Sequence, residues 1–116
     1  MQADAAIRAL GALAQDHRLA AFRLLVQAGA DGLAAGVLAE ALRVPPSSMS
    51  FHLAQLTNAG LILQRRQSRS IIYAAESAAM GDLLGYLTEN GCNGASCVAD
   101  VVSTLPLASS CAQADV

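Results

Sequence analysis

The chain has 116 residues, enough for one domain, and its nine acids outnumber seven arginines to leave a net charge of −2. Hydrophobic residues make up 54% and aromatics only 3%, with no Trp, so any core must be built from Leu, Val, Ile and Ala. The apolar runs fall well short of the ~20 residues of a spanning helix, and residues 1–6 carry an acid and no basic, apolar leader pattern, so a cytoplasmic chain with reduced thiols and no membrane partner is expected.

Residues 4–15 have Ile7, Leu10, Leu13 and Ala14 at helical spacing, which predicts an amphipathic helix with that face inward. Asp16 suits the N-cap of a second helix carrying Leu19, Phe22, Leu25 and Val26 on its inner side. Gly29 and Asp31-Gly32 close it. A short helix is expected over residues 34–42, with Val37, Leu38 and Leu42 inward. Val44-Pro45-Pro46 then breaks the chain, because Pro cannot continue a helix but suits the first turn of a new one. That new helix is predicted to start with Ser47 or Ser48 as cap and to end at Gly60. Met49, Leu56 and one of Phe51 and Leu53 form its inner face. Residues 61–67 and 70–75 are rich in Ile and Tyr and predict a hairpin with the polar tip Arg66-Gln67-Ser68-Arg69. Ser77 can cap a last helix to about residue 90, with Met80, Leu83, Leu84 and Leu87 on one face. From Gly91 the texture turns to Gly, Asn, Ser and Ala, which predicts a cysteine-containing tail over residues 91–116 following a domain over residues 1–90.

Four helices, a hairpin and a helix, in that order, are the pattern of a winged helix-turn-helix: mainly α with a small β hairpin (α+β). A core of small side chains in so short a chain is marginal by area, which favours a homodimer.

The distribution of charge matters more than its sum. Residues 41–75 hold Arg43, Arg65, Arg66 and Arg69 and no acid, whereas all nine acids lie outside. An acid-free basic segment in an acidic chain is the electrostatic footprint of a DNA-facing surface. A helix in the major groove must offer short polar groups to bases and phosphates, and Ser47, Ser48, Ser50, His52 and Gln55 do so. Simple capping accounts for one of the serines, and a half-buried His52 bonded to backbone is the plain alternative to a DNA contact. Arg65, Arg66 and Arg69 on the hairpin suit the DNA backbone or minor groove. No Ser-His-Asp spacing, phosphate-binding glycine loop or paired-carboxylate cleft is visible, so an enzyme is not expected.

The run Ser50-Phe51-His52-Leu53-Ala54-Gln55-Leu56-Thr57-Asn58-Ala59-Gly60-Leu61-Ile62, followed by Arg66, Arg69 and Tyr73, resembles the signature of the ArsR family of metal-responsive repressors. The family pattern is Ser-x-His-Leu-x-x-Leu-x-x-Ala-Gly-Leu-Val, then Arg-x-Gly-Arg and a closing Tyr. His17-Arg18-Leu19 also resembles the family's early Pro-x-Arg helix opening, without its Pro. The resemblance spans residues 5–90 and implies a homodimeric repressor of an inverted-repeat operator in double-stranded DNA. Two departures stand out. Ser68 occupies the wing-tip position usually held by Gly, and residues 36–41 lack the Cys-x-Cys of members that bind metal there.

The family's zinc sensors use Asp and His on the last helix, and here that region offers Asp82 and Glu89 but no His. The soft ligands are Cys92, Cys97 and Cys111, and thiolates select soft ions. Trivalent arsenic or antimony is saturated by three thiolates in a pyramid, so such a metalloid is the expected inducer. The stretch before Cys92 also resembles arsenite-responsive members with a site just past the last helix. Some of those carry adjacent cysteines where this chain has Gly91 and Cys92. Either Cys111 completes the set or two thiolates serve a methylated arsenical. A disulfide between Cys92 and Cys97 under oxidant is the alternative switch.

Overall fold

A computed structural model of the chain describes residues 1–89. Among the described residues are five α-helices, α1 (Ala3–Leu13), α2 (Asp16–Ala28), α3 (Ala35–Leu42), α4 (Pro46–Asn58) and α5 (Ser77–Leu87), and a small sheet. Its strands are β1 (Leu33–Ala34), β2 (Ile62–Gln67) and β3 (Ser70–Ala75), in the order β1-β3-β2. Both pairings are antiparallel, with Leu33 opposite Tyr73 and Ile62 opposite Ala75. The architecture is a winged helix-turn-helix, as expected, with the β2–β3 hairpin as the wing. Residues Met1–Leu83 form one compact unit, and Leu84 opens a second.

The core is aliphatic. Leu25, Leu38, Met49, Leu53, Leu56 and Leu61 are fully buried, and Phe22, Val44 and Ile62 join them. Each such side chain stabilises the fold by roughly 1.5–3 kcal/mol on burial. Of the two residues left open for the inner face of α4, Leu53 takes the place and Phe51 does not.

Local chemistry explains the helix ends. α2 is capped by Gln15 and not by Asp16: the Gln15 side chain accepts from the Arg18 N–H at 3.0 Å. α4 has Pro45 at its N-cap and Pro46 at its first position, and no side chain caps it, so neither Ser47 nor Ser48 has the expected capping role. Pro46 has no N–H to satisfy there, which removes part of the need for a cap. α4 ends in a Schellman motif, with Gly60 at φ 80° and bonds from Gly60 N–H to Thr57 O and from Leu61 N–H to Leu56 O.

Two further expectations are corrected. α1 buries Ala6, Ala9 and Ala12, while Ile7 is 68% and Leu10 42% exposed and Leu13 is half-buried, so Ile7 and Leu10 face outward. Helical spacing located the stripe of large side chains but not the neighbour; the small alanines let α1 approach the rest of the unit closely. Leu19, Val26, Val37, Leu84 and Leu87 are exposed as well. The strand β1 was not foreseen, being only two residues long. It depends on Gly32, at φ 68°, where a side-chain Cβ would collide with the carbonyl oxygen of Tyr73.

Candidate nucleic-acid interface

α3 and α4 form the helix-turn-helix. α3 stops at Arg43 in the left-handed region (φ 57°, ψ 46°), and its N–H bonds back to Ala39 and Glu40. Buried Val44 and the Pro45-Pro46 pair then turn the chain into α4. Arg43, Val44 and Pro45 are thus the three residues that join the two helices.

Met49, Leu53 and Leu56 are buried on one face of α4. At 100° per residue the opposite strip is Ser47, Phe51, Ala54 and Asn58, and all four are exposed. Ser48 and Gln55 flank this strip on one side and Ser50 on the other. Ser47, Ser48 and Ser50 are exposed and Gln55 is half-buried. Thr57 turns its hydroxyl inward along the helix, donating to Leu53 O at 2.8 Å. Gln55 and Asn58 also line a shallow cleft of about 220 Å³ with Arg8, Gly11, Ala12 and Ala59, where α1 meets α4.

His52 lies further around the helix, half-buried toward α2. Arg18 Nη1 is 3.4 Å from its Nδ1, and Arg18 Nε donates to Ala12 O at 2.7 Å. One guanidinium thus links the end of α1, the start of α2 and the middle of α4. The His17 ring stands 5.6 Å from the His52 ring, and Phe51 meets His52 edge-on at 5.9 Å. Burial first, then the Arg18 charge and His17, hold the His52 pKa below its ordinary value. At neutral pH His52 is therefore an uncharged ring.

The wing separates its arginines. Successive Cβ atoms of a strand leave on opposite faces, so Arg65 and Arg66 diverge. Arg65 reaches back to the turn after α2, donating from Nη1 to Ala30 O at 3.1 Å and from Nη2 to Asp31 O at 2.9 Å. Arg66 and Arg69 are exposed. Ser68 at the tip has φ 58°, and Arg69 is not in the positive-φ region, the sign pattern of a type II′ hairpin turn. Such a turn favours Gly at its first central position, where this chain has Ser68.

Sequence reasoning gave Arg18 no contact to make and offered Phe51 only as a candidate for the inner face. The signal for Phe51 was its phase, since it falls out of step with Met49, Leu53 and Leu56. Nothing local marked the contacts of Arg18, whose partners lie 6 and 34 residues away. Cys92, Cys97 and Cys111 lie outside the described residues. Among the described residues no group of three or more His, Cys, Asp or Glu could hold a metal ion, and no helix is long and apolar enough to cross a membrane.

Comparisons with known proteins agree with this geometry. Residues 13–65 match the family model for a helix-turn-helix domain. NolR from Sinorhizobium fredii is 30% identical, with a TM-score of 0.54, covering 80% of this chain and 88% of that one. The homodimeric winged helix-turn-helix DNA-binding domain of Mb0332 from Mycobacterium bovis, a possible ArsR-family transcriptional regulator, is 27% identical, with a TM-score of 0.60, covering 75% and 81%. A possible transcriptional regulator for arsenical resistance is 26% identical, with a TM-score of 0.59, covering 78% and 93%. No curated protein sequence matches the chain significantly.

Proposed function

The chain belongs to the ArsR family of winged helix-turn-helix regulators and binds DNA rather than catalysing a reaction, and from this premise we propose that it is a homodimeric repressor released from its operator by a trivalent metalloid. The observation that carries the repressor reading is the exposed hydroxyl-bearing strip of α4 beside a wing with exposed Arg66 and Arg69, in a segment without acids. Serine hydroxyls suit phosphate oxygens and base edges, and the arginines suit the DNA backbone.

Dimerisation is supported by α1, which leaves Ile7 and Leu10 uncovered, and by exposed Leu84 and Leu87 on α5. A homodimer is also what the Mycobacterium bovis relative forms. Two copies of α4 then meet two half-sites about one DNA turn apart, so an inverted repeat is the matching operator.

The metalloid reading rests on three thiols, Cys92, Cys97 and Cys111, and on the kinship to a possible regulator of arsenical resistance. Arsenous acid exchanges each hydroxyl for a thiolate, and each thiol proton leaves with a hydroxyl as water. Drawing the tail together would favour a dimer whose recognition helices no longer match the half-sites, a shift of a few kcal/mol.

A DNA site selected from a random pool, followed by titration of the complex with arsenite, tests both levels. Loss of the complex at low micromolar arsenite, with three thiols protected per chain, is the expected result. Indifference to arsenite and antimonite rejects the inducer and leaves the repressor; release by peroxide alone would assign the thiols to a disulfide switch.

A further inference from the structure

Phe51 is 57% exposed at the centre of the outward strip of α4. Among the described residues it is the one large apolar side chain of that helix turned to solvent. Its neighbours along the helix surface are Ser47, Ser48, Ser50, Ala54 and Gln55, all short or polar. An isolated exposed apolar residue needs no explanation on an ordinary surface. Here it stands in the middle of the face that the proposed function turns toward DNA, in a stretch with four arginines and no acid.

A phenyl ring forms no conventional hydrogen bond, so it cannot read donors or acceptors on base edges. The one apolar group in the major groove of unmodified DNA is the C5-methyl of thymine. His52, beside Arg18, meets the ring edge-on at an interplanar angle of 62°. An aromatic side chain with only two torsions loses little entropy on contact.

We propose that Phe51 is a specificity-determining residue that reads a thymine methyl in each half-site. This inference rests on the DNA-binding reading of α4. It adds to the polar contacts of that helix a contact that distinguishes thymine by burying one methyl group. The chemistry extends to 5-methylcytosine, whose methyl occupies the same C5 position.

The test removes only the methyl. A site selected from a random DNA pool is scanned by replacing each thymine with deoxyuridine, which keeps every hydrogen-bonding group. At one position per half-site, wild-type affinity is expected to fall about 3- to 10-fold, the scale of one buried methyl. Phe51→Ala is expected to lower affinity for the thymine site and bring the thymine-to-uracil ratio near one, while its salt dependence stays as in the wild type. Phe51→Leu, which keeps apolar bulk, should retain a preference for thymine. Thermal unfolding should be nearly unchanged in both variants.

A flat uracil scan on a site that wild type selects overturns the role of Phe51 while leaving the DNA-binding reading. An unchanged ratio in Phe51→Ala does the same. Dissociation of the free dimer by Phe51→Ala, seen by sedimentation, would assign the ring to a second copy of the chain and also overturn it. Failure of wild type to select any DNA overturns both readings.

Discussion

Arg18 Nη1 lies 3.4 Å from Nδ1 of His52, joining the start of α2 to the middle of α4. A guanidinium only donates, so in this contact Nδ1 of His52 accepts and the proton of the neutral ring sits on Nε2. The recognition helix is thereby tied to a cation that also holds the carbonyl of Ala12 at the end of α1.

The surroundings of His52, burial first, make stability depend on pH. Burial, Arg18 and His17 all disfavour the charged form, so the folded pKa of His52 lies below 6.5. As pH falls, the unfolded chain takes up the proton first. The contribution of His52 is therefore present above about pH 6.5 and is lost as pH falls through the folded pKa. The urea midpoint should be lower at pH 5.5 than at pH 8, and His52→Gln should reduce that difference.

Removing one cause of the shift should move it part of the way. Arg18→Gln is expected to raise the His52 pKa toward its ordinary value without reaching it, because burial, the larger cause, remains. An NMR titration of the His52 ring protons checks this; an unchanged pKa would rule out the Arg18 charge as a cause.

The wing arginines should divide into two kinds. Arg65→Ala removes two exposed hydrogen bonds to Ala30 and Asp31 and should cost about 0.5–1 kcal/mol in urea unfolding. Arg66→Ala and Arg69→Ala should leave stability within about 0.5 kcal/mol. Each should weaken DNA binding across all sequences and reduce the salt slope by about 1.

Two backbone positions give opposite signs. Gly32→Ala must place a Cβ against Tyr73 O at φ 68°, so a loss of more than about 3 kcal/mol is expected. Ser68→Gly relieves a non-glycine residue at φ 58° and should gain about 0.5–1 kcal/mol. Chemical denaturation of the two variants measures both.

Replacing an outward residue of α1 should separate association from folding. Ile7→Glu is expected to yield folded monomers by sedimentation, because Ile7 is exposed in the single chain. Retention of the dimer would place the interface elsewhere.

Much of this molecule could be read along the chain. The Pro45-Pro46 break, the Ile- and Tyr-rich runs around a polar wing tip and the 3.6-residue phase of α4 are local signals, and each produced the element it predicted. The acid-free segment that underlies the proposed DNA face is likewise legible along the chain, because charge distribution is a property of the sequence. Contacts between distant residues were not legible in this way. Which stripe of α1 is buried depends on what packs against it, and the three alanines won because they permit close approach. The same limit hid β1, whose pairing partner lies some forty residues away. It also hid the engagement of Arg65 by the turn after α2 and the hold of Arg18 on His52. Periodicity gives direction around a helix or strand axis, but burial and bonding are properties of pairs, and those pairs exist only once the chain has closed on itself.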